Sequence, residues 1–167
     1  MAKRLLLIFL PFIVVAMAGC GVYSFTGASI QGSTINIRTL DNRARNVVPT
    51  LSPALTSKIR SRILSQTGLS PVNTETADYD ISGAITQYNV SVTGVQNTQT
   101  ASQNRLTISI QIKFKNRLDE KANFTETFTR FADFAANQTL QSVEGKLVEE
   151  IGDQLANDIF NKAFVNW

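Results

Sequence analysis

The chain has 167 residues, with 16 lysines and arginines against 13 aspartates and glutamates, no histidine and a single cysteine. That inventory excludes a Ser-His-Asp triad, a histidine-based metal site and a disulfide within the chain, so the common hydrolase and metalloenzyme chemistries fall away. The formal charge of +3 does not point to nucleic acid, because without Lys3 and Arg4 the other 14 basic residues nearly balance the 13 acidic ones.

Lys3-Arg4 precedes an apolar run from Leu5 to Ala18 that ends in Met17-Ala18-Gly19-Cys20. A basic start, a short apolar stretch and small residues at its end are the marks of a secretory signal, and the run is shorter than the about 20 residues a membrane helix needs. Residues 1–19 are therefore expected to be a signal peptide. Residues 20–33, rich in Gly, Ser and Thr, read as a tether, and 34–167 as a single domain, large enough to bury one core without disulfides.

Thr34 to Arg38 alternates apolar and polar residues, the period of a half-buried strand. Leu51, Leu55, Ile59 and Ile63 then recur every four residues, and Gly68 stops the run. This predicts an amphipathic helix capped by Ser52, with Pro53 in its first turn and Lys58, Arg60 and Arg62 on its other side. Tyr79, Ile81, Gly83 and Ile85 share one parity, whereas Tyr88, Val90 and Val92 share the other, so a β-bulge is expected near Gln87. Gly94 to Asn104 is polar throughout and predicts a mobile hairpin loop. The next strand is the clearest: Leu106, Ile108, Ile110, Ile112 and Phe114 face one way, Thr107, Ser109, Gln111, Lys113 and Lys115 the other.

After a charged turn over 116–123, Phe124, Phe128, Ala132 and Phe134 share a parity and predict an antiparallel partner strand. From Thr139 a long helix follows, with Leu140, Val143, Leu147, Ile151, Leu155, Ile159 and Ala163 at steps of three or four. Gly145 and Gly152 lie on one side of it and either admit a close neighbour or are merely tolerated, each costing about 1 kcal/mol relative to alanine. The element order predicts an α+β two-layer sandwich. In it a four-stranded, mainly antiparallel sheet carries two helices on one face, in the order β-α-β-β-β-α. The basic first helix and the acidic last helix should then lie side by side.

Together with Gly21 to Phe25 after the cysteine and the helix ending Ile63 to Gly68, the stretch Ala77-Asp78-Tyr79-Asp80-Ile81-Ser82-Gly83-Ala84-Ile85-Thr86-Gln87-Tyr88 resembles the LPS-assembly lipoprotein family LptE, in a form similar to those of the Bacteroidota. The Met17-to-Cys20 segment resembles its lipobox. The resemblance implies acyl chains, palmitate among them, on Cys20, and Gly21 in place of aspartate is similar to lipoproteins destined for the outer membrane. It further implies a non-enzymatic protein without cofactor or metal, anchored on the periplasmic face of the outer membrane. There it would plug and help assemble a large LptD-like β-barrel and take part in inserting lipopolysaccharide at the cell surface.

Lipopolysaccharide carries phosphates, for which clustered cations are suitable donors. Arg105, Lys113, Lys115, Arg117 and Lys121 lie on or beside one hairpin and are the candidate contacts to lipopolysaccharide or to the barrel. Charge that guards a strand against aggregation would look the same. The competing function is a stand-alone periplasm-facing lipoprotein that binds a lipidic or small ligand. A hydrolase using paired carboxylates such as Asp78 and Asp80 is a third reading, expected to fail because the two are taken to point to opposite faces of a strand.

Overall fold

The computed structural model describes residues 30–95 and 101–165. Cys20, the expected signal peptide and most of the expected tether lie outside them. The elements are β1 (Thr34–Ile37), β2 (Asp41–Asn42), α1 (Leu51–Thr67), β3 (Ser70–Pro71), β4 (Tyr79–Val95), β5 (Ala101–Asn116), a short 3-10 turn (Glu120–Ala122), β6 (Phe124–Ala135) and α2 (Leu140–Phe164).

The α+β class and the pair of helices are as expected, but the sheet is larger than four strands and mixed. Its order is β3-β1-β4-β5-β6, with β2 also pairing with β4. β1 and β2 run parallel to β4, and β3 runs parallel to β1. β4, β5 and β6 form the antiparallel part. Leu40, between β1 and β2, donates its N–H to the buried Thr56 hydroxyl of α1 (3.1 Å), which satisfies the backbone where the ladder is interrupted.

The expected bulge is present: the β4–β5 register shifts between Ile85 and Gln87, and Tyr88 thereby returns to the covered face opposite Ile108. Gly83 on that face has no room for a side chain. A Cβ there would come within 2.3 Å of the Gln111 carbonyl and 3.2 Å of Leu40. The expected loop from Gly94 to Asn104 is a correction, since β4 continues to Val95 and β5 begins at Ala101, leaving 96–100 outside the described residues.

Both helices pack on one face of the sheet. Leu51, Leu55, Ile59 and Ile63 of α1 and Leu147, Ile151, Leu155 and Ile159 of α2 meet Ile35, Ile81, Ile85, Ile108, Ile110 and Ile112 in one core. Gly68 ends α1 in the left-handed conformation (φ 66°) and returns its N–H to the Leu64 carbonyl. Ser52 is not the cap: Thr50 occupies that position without a side-chain bond, and the Ser52 carbonyl instead accepts from the Thr56 hydroxyl. Pro53 does lie in the first turn, where its missing N–H has no helical partner to lose.

Gly152 is a point of close approach between the helices, a Cβ there meeting Leu55 at 3.2 Å, whereas the space beside Gly145 is open. Beside Gly152, Lys58 reaches Asp153 (2.8 Å) and Glu149 (3.2 Å), so the expected charge complementarity of the two helices is realised. These bonds, that to Asp153 foremost, hold the Lys58 ammonium above its ordinary range.

Candidate functional site

Among the described residues, no helix lies over the second face of the sheet. Alternation sends Arg105, Thr107, Ser109, Gln111, Lys113 and Lys115 of β5 onto it, and the register adds Thr125, Thr127, Thr129, Phe131 and Asp133 of β6. The threonines of β6 are exposed. Ser109 is buried in the middle of this face, its hydroxyl donating to Gln87 Oε1 (3.0 Å) and bonded to the Thr129 hydroxyl (2.8 Å).

One end of this face is basic. Pairing Asn36 with Asp80 places β1 beside β4 and brings Arg38 over the buried Asp80 carboxylate. Asp80 Oδ1 accepts from Asn36 Nδ2 (2.8 Å) and Arg38 Nε (3.1 Å), and Oδ2 accepts from Arg38 Nη2 (3.3 Å). The same guanidinium reaches Glu75 (3.2 Å). Its pKa is raised, first by the hydrogen bond and charge of Asp80. Around this pair Lys113, Lys115 and Arg117 line an open cleft of about 360 Å³, so four cations face two carboxylates. A neighbouring cleft of about 390 Å³ shares Arg38 and Lys113 and adds Arg43, which is paired with Asp41.

The five candidates therefore separate. Lys113, Lys115 and Arg117 converge, and among the described residues neither lysine takes part in an ion pair. Arg117 also donates to the Thr76 carbonyl. Arg105 lies eight residues back along β5, about 26 Å away. There it is neutralised by Asp133 through two bonds (2.7 and 2.9 Å) and stacked 3.6 Å over the Phe131 ring. That bidentate bond in turn holds Asp133 below the usual carboxylate range. Lys121 sits in the 3-10 turn beside Asp119, whose carboxylate accepts its backbone N–H, and lies outside the cleft.

Arg38 and Arg43 belong to the basic end although the sequence argument left them out. The signal was the excess of arginine between Arg38 and Arg62, but without knowing that β1 runs beside β4 nothing connects it to Lys113. Asp78 and Asp80 are two residues apart and so do not point to opposite faces. They are separated by their partners: Asp78 Oδ2 accepts from the backbone N–H groups of Ser33 (2.9 Å) and Thr34 (3.0 Å) and from both their hydroxyls. Those bonds, led by the Ser33 N–H, lower its pKa. Both carboxylates are thus spent on joining β1 to β4.

What the face can do is hold anionic groups at one end through two unpaired ammonium groups and partly engaged guanidiniums, and meet a polar surface along the rest. Among the described residues there is no cluster of three metal-ligating side chains, and no helix is long and apolar enough to cross a membrane.

Such a domain, two helices on one side of a mixed sheet, is an α+β two-layer fold that solved lipoproteins share. It is similar to a minor lipoprotein from Acinetobacter baumannii, with TM-score 0.52, 16% identity, and 80% of this chain and 93% of that one covered. It is similar also to the rare lipoprotein B from Shewanella oneidensis, with TM-score 0.52, 15% identity, and 77% and 91% covered. The hypothetical protein CT253 from Chlamydia trachomatis shares the fold at TM-score 0.53 and 8% identity, with 79% and 98% covered. No curated protein matches the chain. The family model for LptE, lipopolysaccharide-assembly, matches residues 33–163, and the chain belongs to that family. Membership carries with it a role in lipopolysaccharide assembly.

Proposed function

We propose that this protein is an outer-membrane lipoprotein, acylated on Cys20, that plugs the lipopolysaccharide-transport β-barrel from the periplasmic side and takes part in lipopolysaccharide insertion without catalysing a reaction. The observation that carries the reading is the open sheet face: polar along Gln111, Thr127 and Thr129, and basic at the end where Lys113, Lys115 and Arg117 surround Arg38. A polar face suits the polar lumen of a large barrel, and a cationic end suits phosphate-bearing lipid. Arg105, neutralised by Asp133, and Lys121, outside the cleft, contribute least to that contact.

Three experiments test this. Depletion should remove lipopolysaccharide from the cell surface, and the protein purified from solubilised outer membrane should carry a stoichiometric large barrel. Charge reversal at Lys113, Lys115 and Arg117 together should then lower surface lipopolysaccharide while the domain stays folded. Unchanged surface lipopolysaccharide on depletion would overturn the transport role, and preserved export in the triple variant would overturn the site. A monomer that purifies with bound lipid and no barrel would support a stand-alone ligand-binding lipoprotein instead.

A further inference from the structure

We propose that β4 beyond its bulge, over residues 87–93, is an acceptor edge on which an extended segment of the barrel partner adds as a further strand of this sheet. That partner is the barrel of the proposed function, on which the assignment rests. One side of β4 is paired with β5 along its length, but the other pairs only with β1, at Tyr79 to Ile81, and with β2, at Ala84 and Ile85. Among the described residues no strand runs beside β4 past the bond from the Arg43 N–H to the Ile85 carbonyl (2.9 Å). From Gln87 to Thr93 every second residue therefore directs its N–H and C=O away from β5 with no strand to receive them.

Strand edges are ordinarily guarded by charge, by proline or by a bulge. β6, at the far side of the sheet, is guarded in this way, since its Glu126 and Arg130 are held by Lys162 and Asp158 of α2. Residues 87–93 contain neither a charged residue nor a proline. The bulge lies before them, between Ile85 and Gln87, and the register with β5 then runs without a shift to Thr93. On the helix side of the stretch Val90 and Val92 are 38% and 63% exposed, because the helix layer ends short of them. On the other side Asn89 and Ser91 lie in the rows of Thr107 and Arg105, so the edge continues the open face. A cleft of about 710 Å³ bounded by Arg45, Asn46 and residues 86–89 reaches onto that face at Ser109 and Thr129, which leaves the approach to the edge clear.

The chemistry of the edge defines its occupant. Backbone bonds hold an extended segment, and its alternate side chains must be apolar to cover Val90 and Val92 and polar toward Asn89 and Ser91. A strand of the barrel wall does not qualify, since closure leaves it paired on both sides. The occupant is therefore a part of the barrel chain outside the wall, reaching into the lumen that this domain is proposed to fill.

The test compares the full-length protein alone in detergent with its complex with the barrel. Amide hydrogen exchange over 87–93 should be slow only at alternate residues in the protein alone and slow at every residue in the complex, by about tenfold or more at the outward ones. Side-chain docking against the valines would not fill in that alternation. Val90→Lys and Val92→Lys, which place on the edge the charge it lacks, should each weaken recovery of the barrel by about tenfold or more with circular dichroism unchanged. Leu118→Lys, 49% exposed at the opposite end of the β4–β5 pair, should not. A complex in which the outward amides of 87–93 still exchange freely would overturn the acceptor edge alone, as would lysine variants at 90 and 92 that bind the barrel as well as Leu118→Lys does. Absence of any barrel with the wild-type protein would overturn the proposed function and this assignment with it.

Discussion

The two faces of β5 differ in burial and in chemistry. On the covered face Leu106, Ile108, Ile110 and Ile112 are fully buried under the helices, and the chain there is uniform and apolar. On the open face residues of the same strand form a graded surface: an ion pair stacked on an aromatic ring at Arg105, hydroxyls and amides through Ser109 and Gln111, and unpaired cations at Lys113 and Lys115. The covered face makes the domain stable; the open face carries its polar and charged chemistry. One strand does both because side chains alternate and because, among the described residues, only one side of this mixed sheet receives a helix layer.

If that division is right, substitutions at neighbouring positions should have very unequal consequences. Ile110→Ala removes a wholly buried side chain and should cost about 2–5 kcal/mol in urea unfolding. On the same side, where the helices approach, Gly152→Val should cost about 1–3 kcal/mol by overpacking against Leu55, whereas Gly145→Ala, with open space beside it, should stabilise by up to about 1 kcal/mol. A reversed order for the two glycines would show that the helices adjust freely to one another.

Ser109→Ala lies on the open face but strips the hydrogen bonds to Gln87 and Thr129 from a buried position, and should cost about 1 kcal/mol in the same assay. Acid gives a weaker effect. Asp78 and Asp133 titrate below their ordinary range when folded, so the stability they add is present above the unfolded value of about 3.9 and is lost as pH falls through the folded one. Thermal unfolding should be flat from about pH 5 to about pH 9 and decline below about pH 4. Asp78→Asn should flatten that decline. Smallest of all, Lys113→Ala and Lys115→Ala should each change stability by no more than about 0.5 kcal/mol while weakening binding to phosphate-bearing lipid vesicles. A large loss of stability at either lysine would place the basic end among the supports of the fold.

The covered face was legible in the sequence because it is periodic. The alternation of β5, the slip at Gln87 and the four-residue spacing of α1 all reflect burial on one side, and each is present in the fold. β2 and β3, at two residues each, are too short to show a period, and the parallel pairing of β1 with β4 joins residues more than 40 apart. The strand ends around Gly94 and Gln103 were hidden for a related reason: Val92 there is 63% exposed, so strand pairing continues where the helix layer no longer gives one face a preference. The open face was legible in composition but not in arrangement. Nothing in the sequence marks Arg105 for Asp133 or brings Arg38 to Lys113, because partners on a polar surface are chosen by register, and register was set by the other side.

The bonds from Ser33 and Thr34 to Asp78, together with that from the Gly32 N–H to the Tyr79 hydroxyl (3.1 Å), have a mechanical meaning. They stand at the point where the chain enters the fold, immediately before β1, and β1 is gripped on both sides by parallel neighbours, β3 and β4. A pull on the N-terminal segment is therefore met along the strand axis, as shear across several bonds loaded together rather than as peeling of one after another. A domain tethered from that end would stay folded under a drag that would unzip a terminal hairpin.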